Sequence, residues 1–569
     1  MEVIILKIKL LKFIFIILLS FILIHIGVII FSPVFSSNNI TIYFYEKSLN
    51  IFPSNPILWH ILKLLFIISY THVSVFISTY LSCFIHPKNK KRNLNKSDNN
   101  YKNCLKLFIG YSNDNPIYIP ELGLYQNILI TGTIGTGKTS SAMYPFTNQL
   151  ISYKASVKSA KIGMLILDVK GNYYNKVLEY AQKYNRLDDV IVIELNGKYK
   201  YNPLHKPHLK PSVIANQLKS ILLLFSPNNS ESYWLDKAEE VLCEAIKLCR
   251  LYNNGYVTFT EIHKLITEES YYTSKVEELR KSFILNKYSQ DQLYELHSSL
   301  NFFNKEFFSL DPRTLNILKS EITRITNSFV SDYSIKDTFC CEEKKLNFLG
   351  FTELINDGKI VVLNMNINEY RNLSKIIAAY LKMDFQTEVM SRLSNNKTPQ
   401  RITAFISDEY SEYVTANDAN FFSQSREAKC INIIATQSYT SLLNTLNNQY
   451  STKVIIQNLV NKIWFRTDDI FTIEDAQKQI GKTEKTKSSK TISENSQKAS
   501  YNYLVNSFNA RDSSISESIN TYSQFDYIYD TNYFTQNLET FSALCFISNG
   551  SNILPPCKIN LIPYFKSQK

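Results

Sequence analysis

A glycine-rich stretch that ends in a lysine and a threonine is the part of the chain best suited to chemistry. Residues 132–139 read Gly-Thr-Ile-Gly-Thr-Gly-Lys-Thr and fit the pattern G-x-x-x-x-G-K-[ST] of a phosphate-binding loop. In such a loop backbone N–H groups surround the phosphates, a lysine (here Lys138) reaches the β and γ oxygens, and a hydroxyl (here Thr139) ligates Mg²⁺. The apolar run Asn127–Thr131 predicts a strand before the loop, and residues 140–151 predict a helix after it. The pattern predicts a site for ATP and Mg²⁺, against the alternative of a simple glycine-rich turn.

A second apolar run ends in two acidic residues, Asp408 and Glu409. Next to a phosphate-binding loop such a pair is what ATP hydrolysis needs, because Asp408 can hold Mg²⁺ through water while Glu409 polarises the attacking water. The run Cys430–Thr436 predicts a neighbouring strand that is followed by Gln437. This amide can contact the γ-phosphate or its water and sense hydrolysis, or it can be an ordinary polar residue of a loop.

A third carboxylate, Asp168, follows another apolar run that begins at Lys161. At the carboxyl end of a parallel strand beside the loop, it would point into the ligand crevice. Asp168 is therefore either a group at or near Mg²⁺ or the N-cap of the next helix. The predicted nucleotide-binding residues are Gly132, Thr133, Gly135, Thr136, Gly137, Lys138, Thr139, Ser140 and Asp168.

The elements that position these residues follow an alternating strand and helix pattern, which favours an α/β fold of the RecA-like P-loop kind with a mainly parallel sheet. From 211 to 345 the apolar periodicity is helical and predicts an all-helical insertion domain. The ATPase domain is then divided between residues 103–210 and 346–569. Within its second part, residues 483–518 are rich in Ser, Lys, Thr and Asn, and predict a mobile surface segment.

The first part of the chain carries two long apolar runs, Phe13–Phe31 and Leu64–Ile85, which predict two membrane-spanning helices. The alternative for the first run is a signal peptide, but it lacks a small-residue cleavage site. Lysine and arginine flank the pair on its outer sides, so both termini are expected on the cytoplasmic side. Residues 1–87 are thus a predicted membrane anchor, and residues 88–102 are a basic linker.

Composition adds little to this interpretation. The 569 residues are 45% hydrophobic, enough for several domains. The formal charge of +12 fits an anionic partner, but part of it lies in the linker cluster. The nine cysteines form no C-x-x-C pair and predict reduced thiols rather than a disulfide or zinc framework.

Taken in order, the motifs resemble a known family. Two apolar spans, a P-loop, a strand ending in D-x-K-G, an Asn-Pro-Leu segment, a helical insertion, a D-E strand and a strand ending in A-T-Q-S are together similar to the coupling proteins of conjugative type IV secretion systems, the TraG/VirD-type members of the FtsK/HerA ATPase class. The resemblance covers most of the chain. It implies a membrane-anchored homo-hexameric ring that hydrolyses ATP with Mg²⁺, recruits a relaxase with its single-stranded DNA, and delivers it to the other secretion components.

The resemblance also implies roles for single residues. Lys138 and Thr139 match the family's phosphate and Mg²⁺ groups, Asp408 and Glu409 its acidic pair, and Gln437 its sensor.

One further residue is assigned by the resemblance, and one motif departs from the family. Arg426, expected on the helix before the sensor strand, matches an arginine that acts on the neighbouring subunit's ATP; from the residues alone it is as well explained by a surface salt bridge. The family's D-P-K-G-E appears here with Val169 and Asn172, so position 172 offers no carboxylate.

Two alternative functions remain open from the sequence. One is a motor that moves protein only, and the other is a nucleotide-dependent receptor for protein substrates.

Overall fold

A computed structural model describes two compact units, residues Met1–Cys104 and Leu105–Lys569. The described residues are 19–26, 40–44, 47–51, 56–84, 104–168, 170–225, 232–285, 289–394, 400–495, 500–502, 507–509 and 514–566.

In the first unit, β1 (Ile40–Phe44) and β2 (Lys47–Ile51) form an antiparallel hairpin, and α1 (Pro56–Phe84) follows. Among the described residues, no helix is both long enough and apolar enough to cross a membrane. Of the first predicted span only residues 19–26 are described, and the linker 88–102 lies outside the described residues. The membrane anchor therefore stays a prediction.

Strands of the second unit supply one large sheet and two small ones. In chain order these strands are β3 (Lys106–Ser112), β4 (Asn115–Pro120), β5 (Ile128–Thr131), β6 (Gly163–Leu167), β7 (Val190–Ile193), β8 (Ile360–Leu363), β9 (Thr403–Ser407), β10 (Cys430–Thr436), β11 (Asn461–Trp464), β12 (Lys482–Asn495), β13 (Ser500–Asn502), β14 (Ser507–Asn509), β15 (Ser514–Tyr527), β16 (Ser542–Phe546) and β17 (Cys557–Asn560). The large sheet has the order β4-β3-β17-β16-β11-β5-β10-β9-β6-β8-β7.

Helices of the same unit cover both faces of the sheet and fill the interval between β7 and β8. In chain order they are α2 (Glu121–Leu124), α3 (Tyr144–Ser152), α4 (Tyr173–Lys183), α5 (Pro211–Phe225), α6 (Ser232–Tyr252), α7 (Phe259–Thr267), α8 (Glu269–Leu285), α9 (Gln290–Asn301), α10 (Pro312–Val330), α11 (Tyr333–Phe339), α12 (Thr352–Asp357), α13 (Ile367–Ser391), α14 (Asp418–Gln424), α15 (Tyr439–Leu446), α16 (Gln449–Asn458), α17 (Ile470–Ile480) and α18 (Thr531–Thr535). Two π-helical segments cover Lys138–Met143 and Phe302–Phe307, and short 3-10 turns cover Leu187–Asp189, Glu343–Lys345, Arg392–Ser394 and Tyr410–Glu412.

The seven strands from β11 to β7 in the sheet order are parallel, and the strands on the other side of β11 pair antiparallel. Every residue of β5, β6 and β9 is buried. Parallel strands covered on both faces read as continuous apolar runs, which is why the sequence revealed them. Along β6, Leu165 and Leu167 belong to one core cluster, while Met164 and Ile166 belong to the other. The predicted α/β fold with a mainly parallel sheet is confirmed.

The segment predicted to be mobile, residues 483–518, contains regular structure in its described part. β12 pairs with β15 from Lys482 opposite Tyr527 to Asn495 opposite Ser514, and β13 pairs with β14. The mobility of this segment stays a prediction, and its composition did not reveal the paired strands. The reason is that a β-ladder is made by backbone hydrogen bonds, and a ribbon exposed on both faces needs few large apolar side chains.

Candidate nucleotide-binding and hydrolysis site

Carboxyl ends of four adjacent strands bring the predicted site residues together. β5 leads into the phosphate-binding loop, β10 into Gln437, β9 into Asp408 and Glu409, and β6 into Asp168. In an open parallel sheet the crevice outside the carboxyl ends of the strands is where ligands bind. The sheet order therefore converts four segments that are far apart in the sequence into one site.

The phosphate-binding loop turns through glycines with left-handed backbone. Gly135 has φ 80° and Gly137 has φ 97°, a region that favours glycine. A Cβ atom on Gly137 would lie 2.4 Å from the ring of Phe541, so this glycine is also required by close packing. Lys138 follows and is buried, with 8% of its surface exposed. Its ammonium donates to the carbonyl oxygens of Gly132 and, at 3.1 Å, Thr133.

The pKa of Lys138 depends on its burial and on two nearby carboxylates. Burial lowers the pKa of Lys138, and the negative charges of Glu409 and Asp408 oppose that shift. A lysine held on its own loop's carbonyls and flanked by carboxylates is well placed to exchange those carbonyls for phosphate oxygens.

Backbone contacts from distant segments hold the loop in place. The N–H of Gly132 donates to the carbonyl of Gln437 at 3.1 Å, and that of Thr133 donates to the carbonyl of Arg466 at 2.9 Å. The carbonyl of Thr136 accepts from the N–H of Phe541 at 3.1 Å. The loop is thus fixed by the residues that follow β10 and β11 and by the segment before β16.

The predicted magnesium ligands touch one another directly. The Thr139 hydroxyl donates to Asp408 Oδ2 at 2.8 Å. Only 2% of the surface of Asp408 is exposed. Burial raises the pKa of Asp408, and the cationic side chain of Lys170 opposes the rise. A hydroxyl and a carboxylate oxygen in contact form the hard-oxygen pair that Mg²⁺ takes in nucleotide sites.

Glu409 is held by two neighbours from the flanking strands. Its Oε1 lies 2.6 Å from Lys170 Nζ, and its Oε2 accepts a long hydrogen bond of 3.4 Å from the amide of Gln437. The backbone of Glu409 is left-handed, with φ 47°. A non-glycine residue in this region is costly and persists where the surroundings enforce it. The carboxylate is therefore held by its strand neighbours beside Lys138 and Asp408.

Asp168 accepts hydrogen bonds from backbone N–H groups. Its carboxylate accepts from the N–H groups of Lys170 at 3.0 Å, Tyr173 at 3.3 Å and Asn172 at 3.4 Å. Burial raises its pKa, and these backbone hydrogen bonds oppose the rise. The N-cap position of α4 is Asn172 and not Asp168, and the three contacts show Asp168 holding the turn that leads from β6 into α4.

Arg426 does not join the other predicted residues. It lies in the turn after α14, not on a helix, and is exposed. The turn leads into the amino end of β10, whereas the phosphate-binding loop lies at the carboxyl ends of the strands. Within one chain, Arg426 is therefore on the opposite edge of the sheet from the site.

The residues present fit a magnesium nucleotide. The hydroxyl of Thr139 and the carboxylate of Asp408 could hold Mg²⁺, and the loop's glycines leave its backbone accessible to phosphate oxygens. Lys138 supplies a cation close to Glu409 and Asp408, and Gln437 is hydrogen-bonded to Glu409.

Two residues of the site were not singled out from the sequence. Lys170 lies in the D-x-K-G motif, and its role would have followed from knowing that β6 and β9 are neighbours. Phe541 packs against Gly137 from the segment before β16, and no sequence signal indicates this contact.

Comparison with known proteins identifies the family. The family model described as type IV secretion-system coupling protein DNA-binding domain matches residues 117–512. No curated protein matches the chain.

Solved structures show the same fold. The unbound monoclinic form of the bacterial conjugative coupling protein TrwBdeltaN70 is 13% identical with a TM-score of 0.51, over 81% of this chain and 90% of that chain. The plasmid coupling protein TrwB in complex with the non-hydrolysable GTP analogue GDPNP, and in complex with ADP and Mg²⁺, gives in each case a TM-score of 0.52 at 13% identity, over 81% of this chain and 91% of that chain. Because the family match extends over more than half of its residues, the chain belongs to the family of the type IV secretion-system coupling protein DNA-binding domain.

Proposed function

We propose that this protein is an ATP-hydrolysing coupling motor that delivers a relaxase with its single-stranded DNA to a type IV secretion channel. The observation that carries the ATPase part is the contact of Thr139 with Asp408, beside Lys138 and Glu409. Simple nucleotide binding does not require a buried acidic pair at this place, whereas hydrolysis does.

Each side chain then has one task. Bound ATP and Mg²⁺ supply the phosphoryl group and the divalent charge that neutralises it. Lys138 would leave the loop carbonyls for the β and γ oxygens, and Thr139 and Asp408 would hold Mg²⁺. Glu409 orients the attacking water and takes its proton. Gln437, bonded to Glu409, is placed to report the state of the γ-phosphate to β10.

The proposals for the cargo and for the assembly rest on the match to the coupling-protein family. Its description names a DNA-binding domain of a secretion coupling protein, which supports DNA as cargo. We further propose a homo-hexameric ring attached to the cytoplasmic membrane through the two apolar runs near the amino terminus, with both termini on the cytoplasmic side. A ring allows a residue such as Arg426, remote from its own site, to act on a neighbour's nucleotide.

The test is ATP turnover by the full chain, with and without single-stranded DNA. We expect DNA to raise turnover several-fold and Lys138→Ala to abolish it, while Lys237→Ala, a change in an exposed ion pair on α6, leaves it unaltered. If DNA had no effect and a secreted protein stimulated turnover instead, the DNA cargo would be wrong. If Lys138→Ala left both turnover and transfer unchanged, the protein would be a receptor and not a motor.

A further inference from the structure

A fully buried ion pair lies beneath the loop that follows the acidic residues. Lys382, on α13, places Nζ 2.6 Å from Asp418 Oδ2, and both side chains have 0% exposure. The same ammonium donates to the carbonyl of Tyr413 at 2.6 Å and to the hydroxyl of Thr415 at 3.3 Å. One cation therefore holds three points of the segment from Glu409 to Asp418.

Both oxygens of the Asp418 carboxylate accept hydrogen bonds from groups other than Lys382. The carboxylate accepts from the backbone N–H of Thr415 at 2.9 Å, from the amide of Gln386 at 3.0 Å, and from the hydroxyl of Tyr410. Tyr410 follows Glu409 directly in the chain. The ion pair is thus connected to the residue next to Glu409 by a single hydrogen bond.

A second tyrosine connects the ion pair to the strand end. Tyr413, whose carbonyl binds Lys382, shares a hydrogen bond of 2.5 Å between its hydroxyl and that of Ser407, and donates to the carbonyl of Asp408 at 3.1 Å. These contacts fix both sides of Glu409, whose left-handed backbone is not a conformation it would hold by itself.

We propose that Lys382 is the positioning residue for Glu409. Its charge holds the loop closed through Asp418 and Tyr413, and the closed loop aims the carboxylate of Glu409 at the water position. This inference rests on the proposed ATPase function. Lys382 makes no contact with nucleotide in this proposal. Replacing Lys382 should therefore change the turnover rate and leave the nucleotide affinity intact.

The test compares two matched double variants, each of which changes one residue of α13 and its ion-pair partner elsewhere in the chain. Lys382→Met with Asp418→Asn removes both charges together, which avoids leaving one charge buried and unpaired. Lys206→Met with Asp384→Asn does the same to the other buried ion pair of α13, where Nζ and Oδ2 are 2.5 Å apart. Active-site titration with a fluorescent ADP analogue counts the folded molecules, so kcat refers only to these.

We expect the variant at 382 and 418 to lose at least tenfold in kcat, with KM and the affinity for ADP within about twofold of wild type. The variant at 206 and 384 should keep kcat within about twofold of wild type. This should hold even if its melting temperature falls as far as that of the variant at 382 and 418. Equal losses of kcat in both variants, or an unchanged kcat in the first, would overturn the assignment. Wild-type protein without turnover would instead refute the proposed function, so the two failures are distinguishable.

Discussion

At the scale of single residues, Lys170 interacts with both carboxylates on which the proposed hydrolysis depends. Its ammonium bonds Glu409 and opposes the rise in the pKa of Asp408 that burial causes. Lys170→Met removes that opposition, so the pKa of Asp408 rises further and the carboxylate takes up its proton at a higher pH. We expect the acid limb of the pH profile of kcat/KM to move upward, with a loss of up to about fivefold at pH 6 and less at pH 8, since half-exposed ion pairs contribute about 1 kcal/mol or less.

A matched control is Lys237→Met, which removes an ion pair of 2.7 Å with Glu240 on the surface of α6. The pH profile of this variant should superimpose on that of wild type. A profile of Lys170→Met that falls by the same factor at every pH would contradict the electrostatic role and indicate lost geometry instead.

Residues with a local motif were predictable, and residues defined by strand neighbours were not. Lys138 and Thr139 end the glycine-rich loop that follows β5, and Asp408 and Glu409 directly follow β9, so residue type and position in the sequence were sufficient. Asp168 stayed ambiguous because a carboxylate that holds a turn and a carboxylate that binds a metal ion can occupy the same strand end, and its three hydrogen bonds from backbone N–H groups are visible only in the structure.

At the scale of elements, buried parallel strands were predictable and the paired ribbon was not. β5, β6 and β9 are apolar throughout because helices cover both faces of the sheet. β12 and β15 carry polar residues at both sets of alternate positions, and their pairing joins residues from 19 (Asn495 and Ser514) to 45 (Lys482 and Tyr527) positions apart, which a local pattern does not contain.

β11 carries a buried lysine that makes the stability of this element depend on pH. Lys462 pairs in register with Leu129 of β5, and its ammonium donates to the carbonyls of Ile456 and Leu459 near the end of α16. Burial lowers its pKa to about 7, opposed by the charge of Asp475.

Between about pH 7 and pH 10 the unfolded chain binds this proton and the folded chain does not, so stability rises with pH, by at most about 1.4 kcal/mol per unit. We expect denaturant unfolding to show wild type gaining about 2 kcal/mol relative to Lys462→Met from pH 7 to pH 9. Lys237→Met, whose pair is exposed, should show the wild-type slope. Parallel curves for wild type and Lys462→Met would mean that Lys462 remains charged in the fold.

At the scale of the whole molecule, the position of Arg426 bears on assembly. The residue is exposed at the amino end of β10, on the edge of the sheet opposite the phosphate-binding loop. If it acts on nucleotide at all, the nucleotide is bound by another subunit, and a sequence pattern cannot contain that relation because it describes one chain.

Mixed assemblies test this relation. We expect Arg426→Ala to abolish hydrolysis while ADP affinity stays near that of wild type, and an equal mixture with Lys138→Ala to recover about a quarter of the activity, since about one interface in four then joins an intact loop to an intact arginine. Lys138→Ala mixed with Glu409→Gln is the control, because both defects lie in the site of one chain and no interface is complete. Recovery in the first mixture and none in the second would establish an arginine that acts across subunits. If both mixtures were equally inactive, Arg426 would not act on the nucleotide of a neighbouring subunit. The main structural reason for proposing a ring would then be removed.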